Sequence, residues 1–224
     1  MKPSRATAKP KRDAEATKNA ILDAALEEFA VRGLAGARVD QIADAAGVNK
    51  ALIYYYFASK DRLYLSVTER VFQAIIDTVE ASLDQPLRPR ERLLAFLDAN
   101  FDVLAAHPAY PRLLGQEMDL LKRASPAIMG KFSQKGLFRR VAVVVPKIRA
   151  LLEEGVRAGD FRSVDVDAVL PLVIIVIRTA ARGLPLVGHI RPLSKKVSIA
   201  RRRAAAIDLI ARALFTNYKP VVAK

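Results

Sequence analysis

The chain contains no cysteine and only two histidines, His107 and His189, which lie far apart. Without cysteine, neither disulfides nor thiol chemistry contributes, which fits a reducing cytoplasm. Two distant histidines and no thiolate argue against a His/Cys metal site, so no metal and no cofactor is expected. Long apolar runs are also absent. The most apolar stretch, AVLPLVIIVI at 168–177, gives way at once to Arg178 and Arg182. It falls well short of the roughly 20 apolar residues that span a bilayer. No apolar segment follows the basic N-terminus at signal-peptide distance. There is no phosphate-cradling glycine loop and no paired nucleophile and base. These absences lead us to expect a soluble cytoplasmic protein that is not an enzyme and has no membrane partner.

What is present is charge of one sign. Over 224 residues, 37 Lys/Arg stand against 23 Asp/Glu, a formal net charge of +14. Such a surface favours polyanions, nucleic acid first and anionic membrane second. The excess does not itself mark a DNA-binding face, because most of it lies beyond residue 60. The first twelve residues, MKPSRATAKPKR, hold five basic residues and two prolines. They read as a disordered arm over 1–15, either a solvated tail or an arm lying along DNA.

From Ala16 the apolar residues follow a helical period. Ile21, Leu22, Ala25, Leu26 and Phe29 make one stripe, which Gly33 ends. A short helix is predicted over 39–46, with Gly47 as its turn and Asn49 as N-cap of a third helix over 50–57. Ser59 caps a fourth, 60–83. Beyond Pro86 and Pro89 the pattern predicts helices over 90–106, 110–123, 126–156, 165–187 and 194–215, separated by Pro- and Gly-containing turns. No alternating strand pattern appears, so the fold class is all-α.

The third helix carries three tyrosines in a row. At about 100° per residue, Ile53, Phe57, Tyr56 and Leu52 share one arc, while Lys50, Ala51, Tyr54 and Tyr55 share the opposite one. Tyr56 therefore points inward or to the rim, and Tyr54 and Tyr55 point outward. An outward tyrosine pair beside a lysine suits a surface that a partner covers. A short helix after a tight glycine turn and another short helix is a helix-turn-helix arrangement, whose second helix fits a major groove. Lys50 can reach guanine or phosphate, Ala51 can touch a thymine methyl, and the tyrosine hydroxyls can serve base edges or phosphates. Lys60 opens the fourth helix, where free N–H groups favour an anion. Arg38, entering the second helix, is a further phosphate candidate.

The run AILDAALEEFAVRGLAGARVDQIADAAGVNKALIYYYFASKDRLY, residues 20–64, closely resembles the DNA-binding domain of tetracycline-repressor-type (TetR-type) transcriptional regulators. The pattern is a helix ending in F-A-x-x-G, then I-A-x-x-A-G-V, an aromatic Y-x-Y-F helix and S-K-x-x-L. The resemblance implies base contact by Lys50, Ala51, Tyr54 and Tyr55, with Lys60 matching the family's phosphate-binding lysine; Asn49, the N-cap, is a further DNA-contact candidate. Arg38 stands where many members carry a Thr or Ser that caps the second helix and contacts phosphate. Arginine keeps the phosphate contact within reach but not the cap.

The resemblance also implies a helix-turn-helix domain over 16–62, an effector-binding and dimerisation domain over 63–218, and a tail over 219–224. Candidate lining residues of an effector pocket are Phe72, Phe101, Leu104, Tyr110, Leu114, Met118, Phe132 and Phe138, each of which can equally be plain core. Polar candidates are His107, Glu117 and Arg178. Arg178 sits in apolar surroundings, so it either pairs with a carboxylate such as Glu117 or awaits an anionic ligand. The last helix carries a stripe of Val197, Ala200, Ala204, Ile207, Ile210 and Leu214, a candidate homodimer seam or part of the monomer core. Arg201, Arg202 and Arg203 fall off this stripe and read as a solvated face.

The expected protein is thus a regulator, in the first instance a repressor, that binds a double-stranded, near-palindromic operator as a homodimer and leaves it when a small-molecule effector binds. An architectural DNA binder without an effector, or a basic helical membrane-surface or scaffold protein, are the rival expectations.

Overall fold

The computed structural model describes residues 10–115, 137–183 and 198–217. Within them the regular secondary structure is helical: α1 (Pro10–Gly36), α2 (Val39–Ala46), α3 (Lys50–Phe57), α4 (Lys60–Leu83), α5 (Pro89–Ala106), α6 (Leu137–Arg157), α7 (Val166–Arg182) and α8 (Ile199–Leu214). Residues 109–115 are also helical. Phe161 and Phe215 form an isolated antiparallel bridge. None of the described helices is long and apolar enough to cross a membrane.

Helix starts follow their local chemistry. α1 opens at Pro10, ahead of the apolar stripe, because proline lacks only an N–H that the first turn leaves unpaired anyway. Its backbone leaves helical geometry at Gly33 (φ 67°, ψ 175°) before a last turn. Asp165 caps α7 by accepting from the Asp167 and Ala168 N–H groups. α7 stops at Arg182, short of the predicted 187, where Gly183 takes a positive φ. α8 starts later than predicted, since Ser198 is the residue that caps it, accepting from Arg201 N–H at 3.2 Å.

Contacts divide the chain into two units, one holding residues up to Val71 with 112–115, the other 72–111 and the described residues from 137 onward. In the first, Ile21, Ala25 and Phe29 of α1, Ile42 of α2, Ile53 of α3, and Leu63, Tyr64 and Val67 of α4 are all buried. Phe29 meets Tyr64 edge to face, with centroids 4.9 Å apart and planes at 87°, an arrangement worth about 0.5–1.5 kcal/mol beyond its buried area. Arg70 ties α4 to α1 through Asp23 at 2.6 Å.

In the second unit α5 packs against α6, α7 and α8, and α7 packs against α8. Leu93, Phe96, Leu97, Phe101 and Leu104 of α5 meet this core, as do Ile210 and Leu214 of α8. Ile210 and Leu214 are therefore buried within their own chain, one of the two readings the stripe allows, because α8 turns that part of its apolar face toward its own neighbours. The arginines of α8 depart from expectation. Arg203 pairs with Asp98 at 2.8 Å and Asp102 at 2.9 Å, with its guanidinium over the Phe101 ring. Arg202 donates Nε–H to the Ala180 carbonyl near the end of α7 at 2.8 Å. Both act as struts between helices, leaving Arg201 as the exposed member of the three. Lys147 of α6 bridges Asp84 and Glu80, and these hydrogen bonds hold its pKa above the ordinary lysine value.

The end of α8 is locked to the loop after α6. Phe215 stacks on Phe161 with centroids 5.4 Å apart, Arg162 N–H donates to Leu214 O, and Arg90 lies over the Phe215 ring. Gly155 lies against the Phe161 ring so closely that a Cβ would collide with it. Gly155→Ala must therefore displace Phe161 and loosen its stack. We expect a loss of about 1–3 kcal/mol, read as a melting temperature several degrees lower. An unchanged melting temperature would contradict this packing.

Candidate nucleic-acid interface

The turn between α2 and α3 needs a left-handed residue, and Gly47 supplies it (φ 65°, ψ 33°) while its N–H and that of Val48 bond back into the end of α2. Asn49 then caps α3, its side chain accepting from the Ala51 N–H at 2.8 Å. In α3, Ile53 is the buried residue, 1% exposed, while Leu52, Tyr56 and Phe57 are half-buried. On the opposite side Lys50 and Ala51 are exposed, Tyr54 is 43% exposed and Tyr55 79%. The orientation expected from helical angles is the one found. Tyr56 sits at the rim, with the Lys18 ammonium 5.5 Å from its ring centroid and Tyr55 edge-on at 5.2 Å.

Arg38 occupies the N-cap position of α2 in an extended conformation and makes no side-chain cap. Its own N–H instead donates to Glu28 Oε1 of α1 at 3.0 Å, and Glu28 also pairs with Arg32 at 3.2 Å. A carboxylate at a helix N-terminus is favourable for the same reason a cap is. Sequence reasoning missed Glu28. Local sequence carries no signal for it, because the bond joins residues ten apart on either side of the end of α1.

Two lysines of the face are held by protein groups. Lys50 Nζ pairs with Asp40 Oδ1 of α2 at 2.8 Å. The hydrogen bond from Lys50 keeps the Asp40 carboxyl below its ordinary pKa, and the same bond raises that of Lys50. Lys60 Nζ lies 3.1 Å from the Ala37 carbonyl and 3.4 Å from that of Ala35. It thus serves the last turn of α1 and the residue just after it, an arrangement not expected from its place at the start of α4.

Ala58 joins α3 to α4 with φ 62° and ψ −36°, and Ser59 N–H donates to Phe57 O at 2.7 Å across it. This is a γ-turn of the strained, positive-φ sense. Ser59 Oγ then accepts from Arg62 N–H at 3.1 Å, starting α4 as predicted.

The remaining sequence candidates fall in both units or outside the described residues. Phe101, Leu104 and Tyr110 are buried and Phe72 and Arg178 half-buried in the second unit, while Leu114, also buried, falls in the first. His107 is exposed and stacks on Tyr110 with centroids 4.5 Å apart. Glu117, Met118, Phe132 and Val197 lie outside the described residues, as does the side chain of Phe138. Ala200 and Ala204 of the proposed seam are exposed and Ile207 is half-buried. Among the described residues, no cluster of three His, Asp or Glu side chains is arranged to hold a metal ion.

Two turn residues test this geometry. Gly47→Ala forces an L side chain into the left-handed region and is expected to lower stability by roughly 1–2 kcal/mol. Ala58→Gly relieves a strained φ and is expected to leave stability level or raised. Both are read from denaturant midpoints. A loss of about 1 kcal/mol for Ala58→Gly, the ordinary cost of glycine inside a helix, would contradict the strained turn.

Comparison with known proteins agrees with this arrangement. Residues 21–67 match the family model described as bacterial regulatory proteins, tetR family. The HTH-type transcriptional repressor SCO4008 of Streptomyces coelicolor is 42% identical over 103 residues, covering 46% of this chain and 50% of that protein. The HTH-type transcriptional repressor NicS of Pseudomonas putida is 37% identical over 105 residues, 46% of this chain and 49% of that one. The aligned part of the chain thus spans about half the length of these two relatives. Among solved structures, the TetR family transcriptional regulator PfmR of Thermus thermophilus superposes with a TM-score of 0.64 at 26% identity, over 86% of this chain and 97% of that one. SCO4942 of Streptomyces coelicolor does so with a TM-score of 0.65 at 31% identity, over 88% and 97%. A matching helix-turn-helix and a matching helical architecture over nearly the whole chain lead to one conclusion: the protein belongs to the TetR family of bacterial regulators.

Proposed function

We propose that this chain is a transcriptional regulator that binds a near-palindromic operator as a homodimer and is released from it by a small-molecule effector. The observation that carries the reading is the bare face of α3. Lys50, Ala51, Tyr54 and Tyr55 stand exposed on a capped eight-residue helix, opposite the buried Ile53. A helix so placed can enter a major groove, with small and polar groups near the base edges. Two copies would read half-sites in successive major grooves, roughly 34–36 Å apart or at a somewhat larger spacing.

Dimerisation has support in the second unit. Leu172 and Ile175 of α7 are more than half exposed and lie on one side of that helix, three residues apart; on α8 Leu209 is 58% exposed. Large exposed aliphatic side chains on two helices that pack together mark a surface suited to a second copy. This face, with Ala200 and Ala204, takes the place of Ile210 and Leu214 in the seam we propose. Effector release rests on family membership. Its physical form is a population shift toward a dimer geometry that no longer fits both half-sites.

Selection of bound duplexes from genomic fragments tests the reading, followed by binding curves against salt. We expect binding to weaken steeply as salt rises. Tyr54→Ala and Lys60→Ala should each weaken operator binding while sedimentation still shows a dimer. Leu209→Asp together with Ile175→Asp should give monomers. Parent-like DNA binding by both Tyr54→Ala and Lys60→Ala would remove the proposed interface, and a dimer that survives both aspartates would remove the proposed seam.

A further inference from the structure

The Asp40–Lys50 pair has a consequence for what Lys50 can recognise. A carboxylate on a surface that meets DNA is unfavourable in itself, because every phosphate repels it. Here it lies 2.8 Å from the one ammonium in α3, with both side chains about half exposed on the open face. Arg38, at the entry to α2, is the other charged group acting on both. A phosphate brought to Lys50 would therefore also stand beside Asp40, and the pair presents almost no net charge to it. A neutral acceptor meets no such penalty. An ammonium has three N–H groups, and with one engaged by Asp40 the others can donate to O6 and N7 of a guanine.

We infer that Asp40 is a specificity-determining residue, which holds the Lys50 ammonium for a guanine edge and withholds it from phosphate. The inference rests on the DNA-binding reading given above and adds to it. It assigns the two basic side chains different roles: Arg38 toward the backbone, Lys50 toward a base. It also states that each half-site contains at least one guanine whose N7 matters through Lys50.

The test uses full-length protein and two probes, a duplex enriched by the parent chain from a random-sequence pool and the unselected pool itself. Replacing the critical guanine by 7-deazaguanine keeps the base pair and removes the N7 acceptor. We expect this to weaken the parent roughly tenfold, within the range of a good base contact, and to leave Lys50→Met unaffected. Asp40→Asn should bind the unselected pool more tightly than the parent does. Its salt dependence there should steepen by ~0.9 in logarithmic slope, the signature of one added phosphate contact. Its ratio of selected to unselected affinity should fall. Melting curves establish that both variants fold. The inference is overturned if Asp40→Asn keeps the parent's slope and ratio, or if no guanine shows an N7 effect that Lys50→Met abolishes. A parent chain that enriches no duplex overturns this inference and the DNA-binding reading together, whereas a parent that enriches one alongside an unaltered Asp40→Asn overturns the inference alone.

Discussion

Ile53 sets the direction of α3, and the proposed interface depends on it. An eight-residue helix has no stability of its own in water. α3 persists because Gly47 turns the chain, Asn49 caps the first turn, and Ile53 is buried with Ile42 in the first unit's core. With the helix fixed along one line, its remaining side chains have no choice of direction. Tyr54 and Tyr55 must face out, Tyr56 must sit at the rim, and Lys50 must lie near the start of α2, where Asp40 meets it.

Much of this was legible in the sequence because the controlling interactions are local. A left-handed glycine, an Asn two residues later and a helical period of about 100° per residue operate within a dozen residues. They fix α2, α3 and the outward arc. The same holds for Ser59 at the start of α4 and Asp165 at the start of α7. What could not be read depended on partners distant in the chain. The helical angle of Arg203 points it to solvent, yet its carboxylates are more than a hundred residues away on α5. The stripe of α8 showed correctly that one side is apolar, but a single sequence does not say which neighbour covers it. Ile210 and Leu214 proved to be covered by the chain itself.

The electrostatics of the α2–α3 face show the same division. Composition gave the sign and size of the net charge but not its arrangement. Lys50 and Lys60 are the two basic residues most readily assigned to an anion by position, and each is already engaged, one by a carboxylate and one by main-chain carbonyls. Glu28, which no motif singled out, accepts the Arg38 N–H at the start of α2, where Arg38 makes no side-chain cap. Preorganisation of this kind limits how many rotamers the face must freeze when a partner arrives, and so limits the entropic cost of binding. The strained turn at Ala58 fits the same picture, since strain at a junction persists only where the surrounding structure determines the path of the chain.

The most direct measurement is fluorine NMR of protein labelled with 3-fluorotyrosine, recorded as duplex enriched by the protein is added. Single Tyr→Phe variants assign the resonances. Tyr54 and Tyr55 lie on the bare side of α3, whereas Tyr64 is 1% exposed in the core. If the bare side of α3 meets the duplex, the Tyr54 and Tyr55 signals shift on binding while that of Tyr64 stays in place. Bound duplex with unmoved Tyr54 and Tyr55 signals would show that DNA is held by another surface, and would contradict the orientation on which the proposed interface rests.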